Sequence, residues 1–562
     1  MLLSGHRRFA LAPLATAGLW GLLIAVTLTA RPLLPVDETR YLAVAWEMWQ
    51  RGDFLVPYLN GEPYSHKPPL LFWAMHLGWA VFGVNEWWPR LVAPLFGLAA
   101  LGLTGRLGRL LWPDLWTAGA IALFVVLGAV FWTVFTTVTF FDMLLVVFTL
   151  GGLIGLVMAA QGRLTAGFLV LGIAIGLGIL AKGPAILVHL LPAALAAPLW
   201  APALGAAPRW RAWYGGLVGA VALGAAIGLA WALSAAEAGG AEYRNAILWG
   251  QSAGRMVDSF AHGRPFWWFA AILPAMTLPW IIWPAAWRAL CRQWRDMVGD
   301  GGTRLCLVWF AAAFVVFSVI SGKQPHYLLP EFSALALILA RALAGAVAAE
   351  GDGFWRPVDR WIPAALFLVL AGALASTLHF DIKPSWATSV GDAQLWPLAG
   401  VAVAAGAFLR LEGAAAVRAA AVAGLSVAMV VAVHLTLRPL MAESHDFRPF
   451  SQVLKTLEDQ GADFVTFGKY RGEFHFLGRL TKPVGVVGGP AGLEVWLKAH
   501  PKAMIIAPFR GMSAGPAPDA ATRFRSRQIG VWPADKYPPR LDRLRKPVRA
   551  TPVARLPAVK RR

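Results

Sequence analysis

The sequence predicts an all-α polytopic membrane protein of about thirteen transmembrane helices, with a small C-terminal α/β domain. Three observations predict it. Of 562 residues, 58% are hydrophobic and only 14% charged, too few charges to coat a soluble surface of that size. Apolar runs of about 20 residues, enough to cross a hydrocarbon core of about 30 Å, recur along the chain. The 28 tryptophans suit a protein with two lipid–water interfaces to line.

The runs place spans at 10–30, 90–111, 115–135, 143–160, 164–181, 184–200, 214–234, 266–290, 305–320, 327–347, 361–379, 396–411 and 414–437. The first has the basic start of a signal peptide (Arg7, Arg8). Its apolar stretch is longer than a signal core and runs into Arg31-Pro32, so it is expected to stay as a span. Cys291 and Cys306 flank one basic loop and give neither a disulfide framework nor a metal pattern.

Lys and Arg in short loops set the orientation. Arg106, Arg109, Arg163, Arg209, Arg211, Arg288, Arg292, Arg295, Arg304, Arg356, Arg360 and Arg410 fall on alternate loops, which are therefore expected in the cytoplasm. The opposite loops, 36–69, 136–142, 182–184, 235–265, 321–326 and 381–395, are expected outside, and they hold nearly all the polar groups able to do chemistry. The expected domains are a transmembrane body over 1–438, whose first outer loop (31–89) carries interfacial helices, and a small outer α/β domain over 439–510. A basic, flexible tail is expected over 511–562. The small domain reads as helices at 447–460 and 493–499 and strands at 463–467, 483–487 and 503–508. From Arg510 onward fourteen Lys/Arg face three Asp, which suits a solvated segment or one lying on anionic headgroups, and not a nucleic-acid site beyond a membrane.

The first outer loop is rich. Asp37-Glu38-Thr39-Arg40-Tyr41 precedes an amphipathic stretch, 42–49, whose Trp46 and Trp49 share a helical face suited to the membrane interface. Adjacent carboxylates at a membrane boundary are costly unless paired or used. Gly52-Asp53 reads as a turn with a local cap, and Tyr64-Ser65-His66-Lys67-Pro68-Pro69 closes the loop. Asp142, Lys182, His262, Arg264, Lys323, His326 and Tyr327 stand at other outer span ends. Carboxylates beside fixed cations suit a phosphate-bearing substrate attacked by an activated hydroxyl. Singly each is weak, because a lone Lys at a helix end commonly snorkels.

The order Asp37-Glu38-x-Arg40-Tyr41, Gly52-Asp53, Leu59-Asn60-Gly61-x-Pro63-Tyr64-x-x-Lys67-Pro68-Pro69 resembles the first periplasmic loop of bacterial polyprenyl-phosphate-dependent glycosyltransferases. These are the relatives of the protein O-mannosyltransferases that include the lipid A aminoarabinose transferases. Asp142, Lys182-Gly183-Pro184, Pro265-Phe266-Trp267-Trp268 and Lys323-x-Pro325-x-Tyr327-x-Leu329-Pro330 follow in matching order, so the resemblance covers about residues 20–340.

The resemblance implies a GT-C fold and a donor sugar on undecaprenyl phosphate, with a lipid or glycan acceptor, membrane lipids around the site and no nucleotide. It implies Asp37 as catalytic carboxylate with Asp142 its partner, and Tyr64, Lys67, Lys182, Arg264, Lys323 and Tyr327 around the lipid phosphate. Glu38, Arg40, Tyr41 and His262 complete the expected substrate contacts. Relatives commonly carry Glu before Lys-Pro-Pro, where it helps hold a divalent metal; this chain carries His66, a softer ligand. His66 and Asp142 are thus the candidate metal ligands. The expected reaction is a single displacement with inversion at the anomeric carbon, on the outer face of a bacterial inner membrane. A protein hydroxyl as acceptor, or transport of a lipid-linked sugar, stay open as alternatives.

Overall fold

The computed structural model describes residues 2–205, 208–250, 263–382, 392–509, 516–525 and 527–537. Apolar sequence makes helices here because inside a bilayer only a helix satisfies every backbone group within one segment. Among the described residues nine helices are long and apolar enough to cross a membrane, or ten if one bent pair counts as a span. The body runs α1 (Leu2–Ala30), the loop helices α2 (Asp37–Arg51) and α3 (Leu70–Phe82), then α4 (Trp87–Leu111), α5 (Thr117–Gly128), α6 (Val130–Phe135), α7 (Asp142–Ala160) and α8 (Leu164–Lys182). It continues with α9 (Ala185–Leu195), α10 (Ala197–Trp200), α11 (Trp210–Ala238), α12 (Gly240–Asn245), α13 (Trp268–Met276), α14 (Pro284–Met297) and α15 (Gly301–Val319). The last body helices are α16 (Glu331–Glu350), α17 (Val358–His379), α18 (Trp396–Arg410) and α19 (Ala415–His445).

Several expected spans are broken, for local reasons. The run over 115–135 stops at Gly128, and Val130 N–H donates to the Leu278 carbonyl 2.9 Å away instead of back along the helix. The run over 266–290 becomes α13, a 3₁₀ turn (Trp280–Ile282) and α14, because Pro279 and Pro284 lack the N–H a continuous helix needs. The run over 184–200 bends by 52° between α9 and the segment Ala197–Ala203. The run starting at 327 opens as a 3₁₀ turn, Pro325–Leu328, and α16 begins only at Glu331.

Small residues let the spans touch. A Cβ on Gly155 of α7 would lie 2.6 Å from the Gly167 carbonyl of α8, an approach only glycine permits. Since lipid tails are as apolar as leucine, such close packing is what holds helices together in a bilayer.

The C-terminal domain comprises α20 (Arg448–Asp459), β3 (Asp463–Phe467), α21 (His475–Gly478), β4 (Gly485–Val487), α22 (Pro490–Ala499), β5 (Ala503–Phe509), β6 (Ala520–Phe524) and β7 (Arg527–Pro533). One hairpin elsewhere, β1 (Tyr58–Leu59) and β2 (Glu62–Pro63), lies in the first loop. The domain sheet has order β4-β3-β5-β7-β6; β3 runs parallel to β4 and β5, and β7 antiparallel to β5 and β6. Central β5 is buried on both faces, hence its unbroken Ala-Met-Ile-Ile-Ala run. The expected boundary at 510 is corrected: β6 and β7 lie beyond it and complete the sheet, with Val531 and Trp532 fully buried.

Candidate functional site

Helix α2 opens on its two carboxylates, a placement the positive end of the helix dipole favours, and closes on Gly52 in a left-handed conformation (φ 66°). Its Leu42, Ala45 and Met48 face the core. Trp46 and Trp49, expected on the face toward the membrane interface, are partly buried and have protein partners. Trp46 Nε1 donates to the Leu480 carbonyl of the C-terminal domain at 3.0 Å, and Trp49 packs on Phe54, His76 and Trp79. Asp53 caps its turn as the sequence suggested, accepting from the Leu55 and Val56 amides at 2.9 and 3.1 Å. Asn60-Gly61 turns the β1–β2 hairpin, both at positive φ, and the Tyr64 amide bonds back to the Pro57 carbonyl at 2.7 Å. That return puts Tyr64, His66 and Lys67 at the mouth of α3.

Asp37 and Glu38 diverge. Asp37 pairs with Arg40 one turn on, and its side chain stays about half exposed, 48%. Glu38 is fully buried, and both its oxygens are taken: by Arg31 at 2.5 and 3.0 Å, by the Leu34 amide at 2.8 Å and by the Thr139 amide at 2.8 Å. Burial alone would raise its pKa, but Arg31 wins and holds it down to about 2. Glu38 is therefore corrected from substrate contact to internal anchor.

Asp142 begins α7, and Lys182 ends α8 before Gly183 (φ 73°). Gly183 lets the chain turn directly after the lysine. The two side chains form an ion pair in which Asp142 is buried. Lys182 Nζ also lies 4.9 Å from the Tyr327 ring centre, and Lys67 Nζ lies 5.3 Å from that of Phe141. Tyr41 meets the same Phe141 edge-on at 5.0 Å, so this ring joins α2, the Lys67 turn and α7. Burial, then Asp37 and Tyr64, push the Tyr41 hydroxyl far above the ordinary phenol range and keep it a donor.

His326, seen in the sequence only as part of its turn, belongs to this group. Its ring stacks on Phe140 at 5.5 Å and lies 5.8 Å from Phe135 and 5.2 Å from Tyr327. Burial drops its pKa to about 4, with Lys182 and Lys67 adding to the effect and Asp142 and Asp37 opposing it. The imidazole is neutral at pH 7. The Pro-His-Tyr sequence at a span end was the available signal. The C-terminal domain also reaches the site: Gly472 sits so close to α2 that a Cβ there would be 2.7 Å from that of Ala43, and neighbouring Glu473 feels Arg40.

Lys323 and Arg264 are placed differently from expectation. Lys323 is buried, and its Nζ donates to the carbonyls of Arg264 at 3.0 Å and Ile320 at 2.5 Å, so it pins two loops together. Arg264 is exposed, its guanidinium 5.6 Å from the Trp268 ring centre. Among the described residues neither side chain contacts the Asp142 group. His262 lies outside the described residues. No group of three His, Cys, Asp or Glu able to hold a metal occurs among the described residues, and Asp142 is already neutralised by Lys182. His66 instead stands edge-on to Tyr64 at 5.3 Å. The donor set does not fit a caged divalent ion.

Comparison with known proteins agrees with this geometry. Residues 66–231 match the family model described as dolichyl-phosphate-mannose-protein mannosyltransferase. The chain is 32% identical over 350 residues to undecaprenyl phosphate-alpha-4-amino-4-deoxy-L-arabinose arabinosyl transferase 2 of Pseudomonas fluorescens, covering 60% of this chain and 56% of the relative. It is 30% identical over 335 residues to the corresponding transferase of an Enterobacter species, covering 57% of each. The chain thus spans somewhat over half the length of the curated relatives it matches. The crystal structure of ArnT from Cupriavidus metallidurans bound to undecaprenyl phosphate superposes with TM-score 0.67 at 20% identity, over 92% of this chain and 97% of that one. At that identity the match establishes the fold.

Proposed function

We propose that the chain is a member of the GT-C superfamily that includes the protein O-mannosyltransferases and the lipid A aminoarabinose transferases, which its similarities support, and that it moves a sugar from a polyprenyl phosphate to a hydroxyl or phosphate of an envelope glycolipid such as lipid A. The observation that supports this best is the presence of two unlike carboxylates that both act on His326. Asp37 is half exposed at a helix N-terminus, whereas Asp142 is buried and tied to Lys182. A buried carboxylate spent on a lysine orients that lysine; a half-exposed one, though paired with Arg40, stays open to a substrate.

In this reading Lys67, Lys182 and the Tyr327 hydroxyl bind the donor phosphate, and Tyr41 and Tyr64 wall the sugar. Asp37 takes the proton of an acceptor hydroxyl as that oxygen bonds to the anomeric carbon. The carbon–oxygen bond to the phosphate breaks, and the lipid phosphate leaves with the electron pair, stabilised by the two lysines. One displacement inverts the centre. A phosphate acceptor is already ionised and needs no base, so Asp37 acts as base only on a hydroxyl acceptor. No step is routed through a metal. The site faces outside the cytoplasm, as the loop charges indicate. The family match to protein mannosyltransferases favours a protein hydroxyl as second reading.

The test uses the full chain in vesicles with polyprenyl-phosphate sugar and, separately, lipid A or membrane protein as acceptor, read by mass spectrometry. Asp37→Asn is expected to lower transfer about 10²–10⁴-fold, while Asp53→Asn, a turn cap, retains most activity. An active Asp37→Asn with a dead Asp142→Asn would reverse the assignment. Donor moved intact to the other leaflet with no glycosylated product would move the protein to the transport class.

A further inference from the structure

A line of charges that the transfer reaction does not use runs from the C-terminal domain to the residue beside Asp37. Arg448, the first residue of α20, reaches Glu86 with Nη2 3.2 and 3.0 Å from its two oxygens. Glu86 precedes α4 and also accepts from Arg90 Nη1 at 3.1 Å. Arg90 Nη2 donates to the Arg31 carbonyl at 2.8 Å, and Arg31 holds both oxygens of Glu38. Arg31, Glu38 and Arg90 are 4%, 0% and 4% exposed.

Charges so buried are kept only where each has a partner, so removing one link frees the next side chain to move or draw in water. Helix packing alone would place α2 with apolar residues, and several links here are instead backbone-directed: Glu38 fixes the Leu34 amide before α2 and the Thr139 amide before α7. These are the two strands of chain from which Asp37 and Asp142 project. The lysines that would hold the donor phosphate stand on other elements, at the mouth of α3 and the end of α8.

We infer that Arg448, Glu86, Arg90, Arg31 and Glu38 act as positioning residues that couple the seating of the C-terminal domain to the placement of Asp37, so that the base is set for reaction only when that domain is docked. The inference rests on the transfer reading above. It separates base from donor: loosening the line acts on turnover and spares donor binding. Docking itself has other supports, namely the Trp46–Leu480 bond, the reciprocal bonds of Asn60 with Val484 at 2.9 and 2.8 Å, and the Trp79–Phe476 stack at 5.5 Å. Cutting the Arg448 link therefore leaves the domain attached.

The experiment compares wild type, Arg448→Ala, Arg448→Lys and Glu86→Ala with Arg448→Ala, all full length in vesicles. Steady-state transfer gives kcat and donor KM, and amide hydrogen exchange over residues 34–41 gives a readout independent of activity. Expected for Arg448→Ala is a kcat loss of about 10–100-fold with donor KM within about twofold of wild type. Exchange over 34–41 quickens, Arg448→Lys recovers part of both effects, and the double variant loses little more than the single one. Unchanged kcat and exchange would overturn the coupling. So would a rise in KM at constant kcat, or a lower melting temperature with wild-type kcat and exchange. A wild type that transfers no sugar would sink the transfer reading instead, and the exchange arm would then decide the coupling alone.

Discussion

Replacing Glu38 by Gln tests whether a carboxylate beside the reacting one is an anchor. In the folded chain its pKa falls from 4.5 to about 2, which at 1.36 kcal/mol per unit is about 3 kcal/mol of stability. The sign follows from the direction: a depressed carboxylate stabilises above pH 4.5 and loses that contribution as pH drops toward 2. The Gln variant is neutral at every pH and leaves Arg31 buried beside no counter-charge, a loss of about 3–5 kcal/mol at pH 7. If the whole chain melts as one unit, its unfolding entropy is on the order of 1.2 kcal/mol/K, so Tm should fall by about 3–4 °C. That is a floor, because helices that persist in detergent reduce the entropy. The assay is thermal unfolding in detergent between pH 2.5 and 7. Wild type should lose stability across the acid window, and Glu38→Gln should start lower and change less. A variant that melts with wild type at pH 7, or a wild type no more acid-sensitive than the variant, would refute the reasoning.

Two further outcomes are expected. Lys182→Ala or Lys67→Ala should raise the donor KM by about 10–150-fold, the equivalent of a charge-assisted contact of about 1.5–3 kcal/mol, against no change for Arg163→Ala on an exposed opposite loop. For topology, native Cys291 is exposed on the basic helix α14 and Cys306 is buried. Intact cells should leave Cys291 unlabelled by an impermeant maleimide, whereas Glu62→Cys and Thr481→Cys, both exposed positions, should react in a Cys291→Ser background. Labelling of Cys291 before lysis would invert the orientation.

Much of the site was legible because its residues stand at span ends, where a charged side chain is expensive and therefore informative. Asp37, Arg40, Asp142 and Lys182 came from that signal and Tyr41, Tyr64, Lys67 and Tyr327 from the resemblance of the outer loops, and the structure brings Tyr41, Lys67, Asp142, Lys182 and Tyr327 together near Phe140, Phe141 and His326. The misplacements share a cause: the deciding partner lies far away in sequence. Neighbouring helical residues point about 100° apart, so Asp37 and Glu38 can face different surroundings. Which of them turns inward is settled by Arg31, itself held by the Thr137 carbonyl 106 residues on. Trp46 reads as an interfacial indole until Leu480, 434 residues away, accepts its N–H. Lys323 reads as a phosphate ligand until two carbonyls take its ammonium.

The C-terminal boundary failed for another reason. Fourteen cations from Arg510 onward dominate any composition window, yet β6 and β7 need only short alternating stretches, and β7 pairs along the whole of the β5 edge from Met504 to Phe509. A strand beside a buried neighbour gains its stability from that pairing and can carry exposed Arg527 at its end at little cost. Charge density thus reports solvent contact of side chains, and says little about whether the backbone between them is paired. The same distinction applies at the site: Asp142 and Asp37 are both acidic residues at helix starts, and only their surroundings, a carboxylate buried against Lys182 in one case and one left half exposed beside Arg40 in the other, separate the residue proposed to orient from the residue proposed to react.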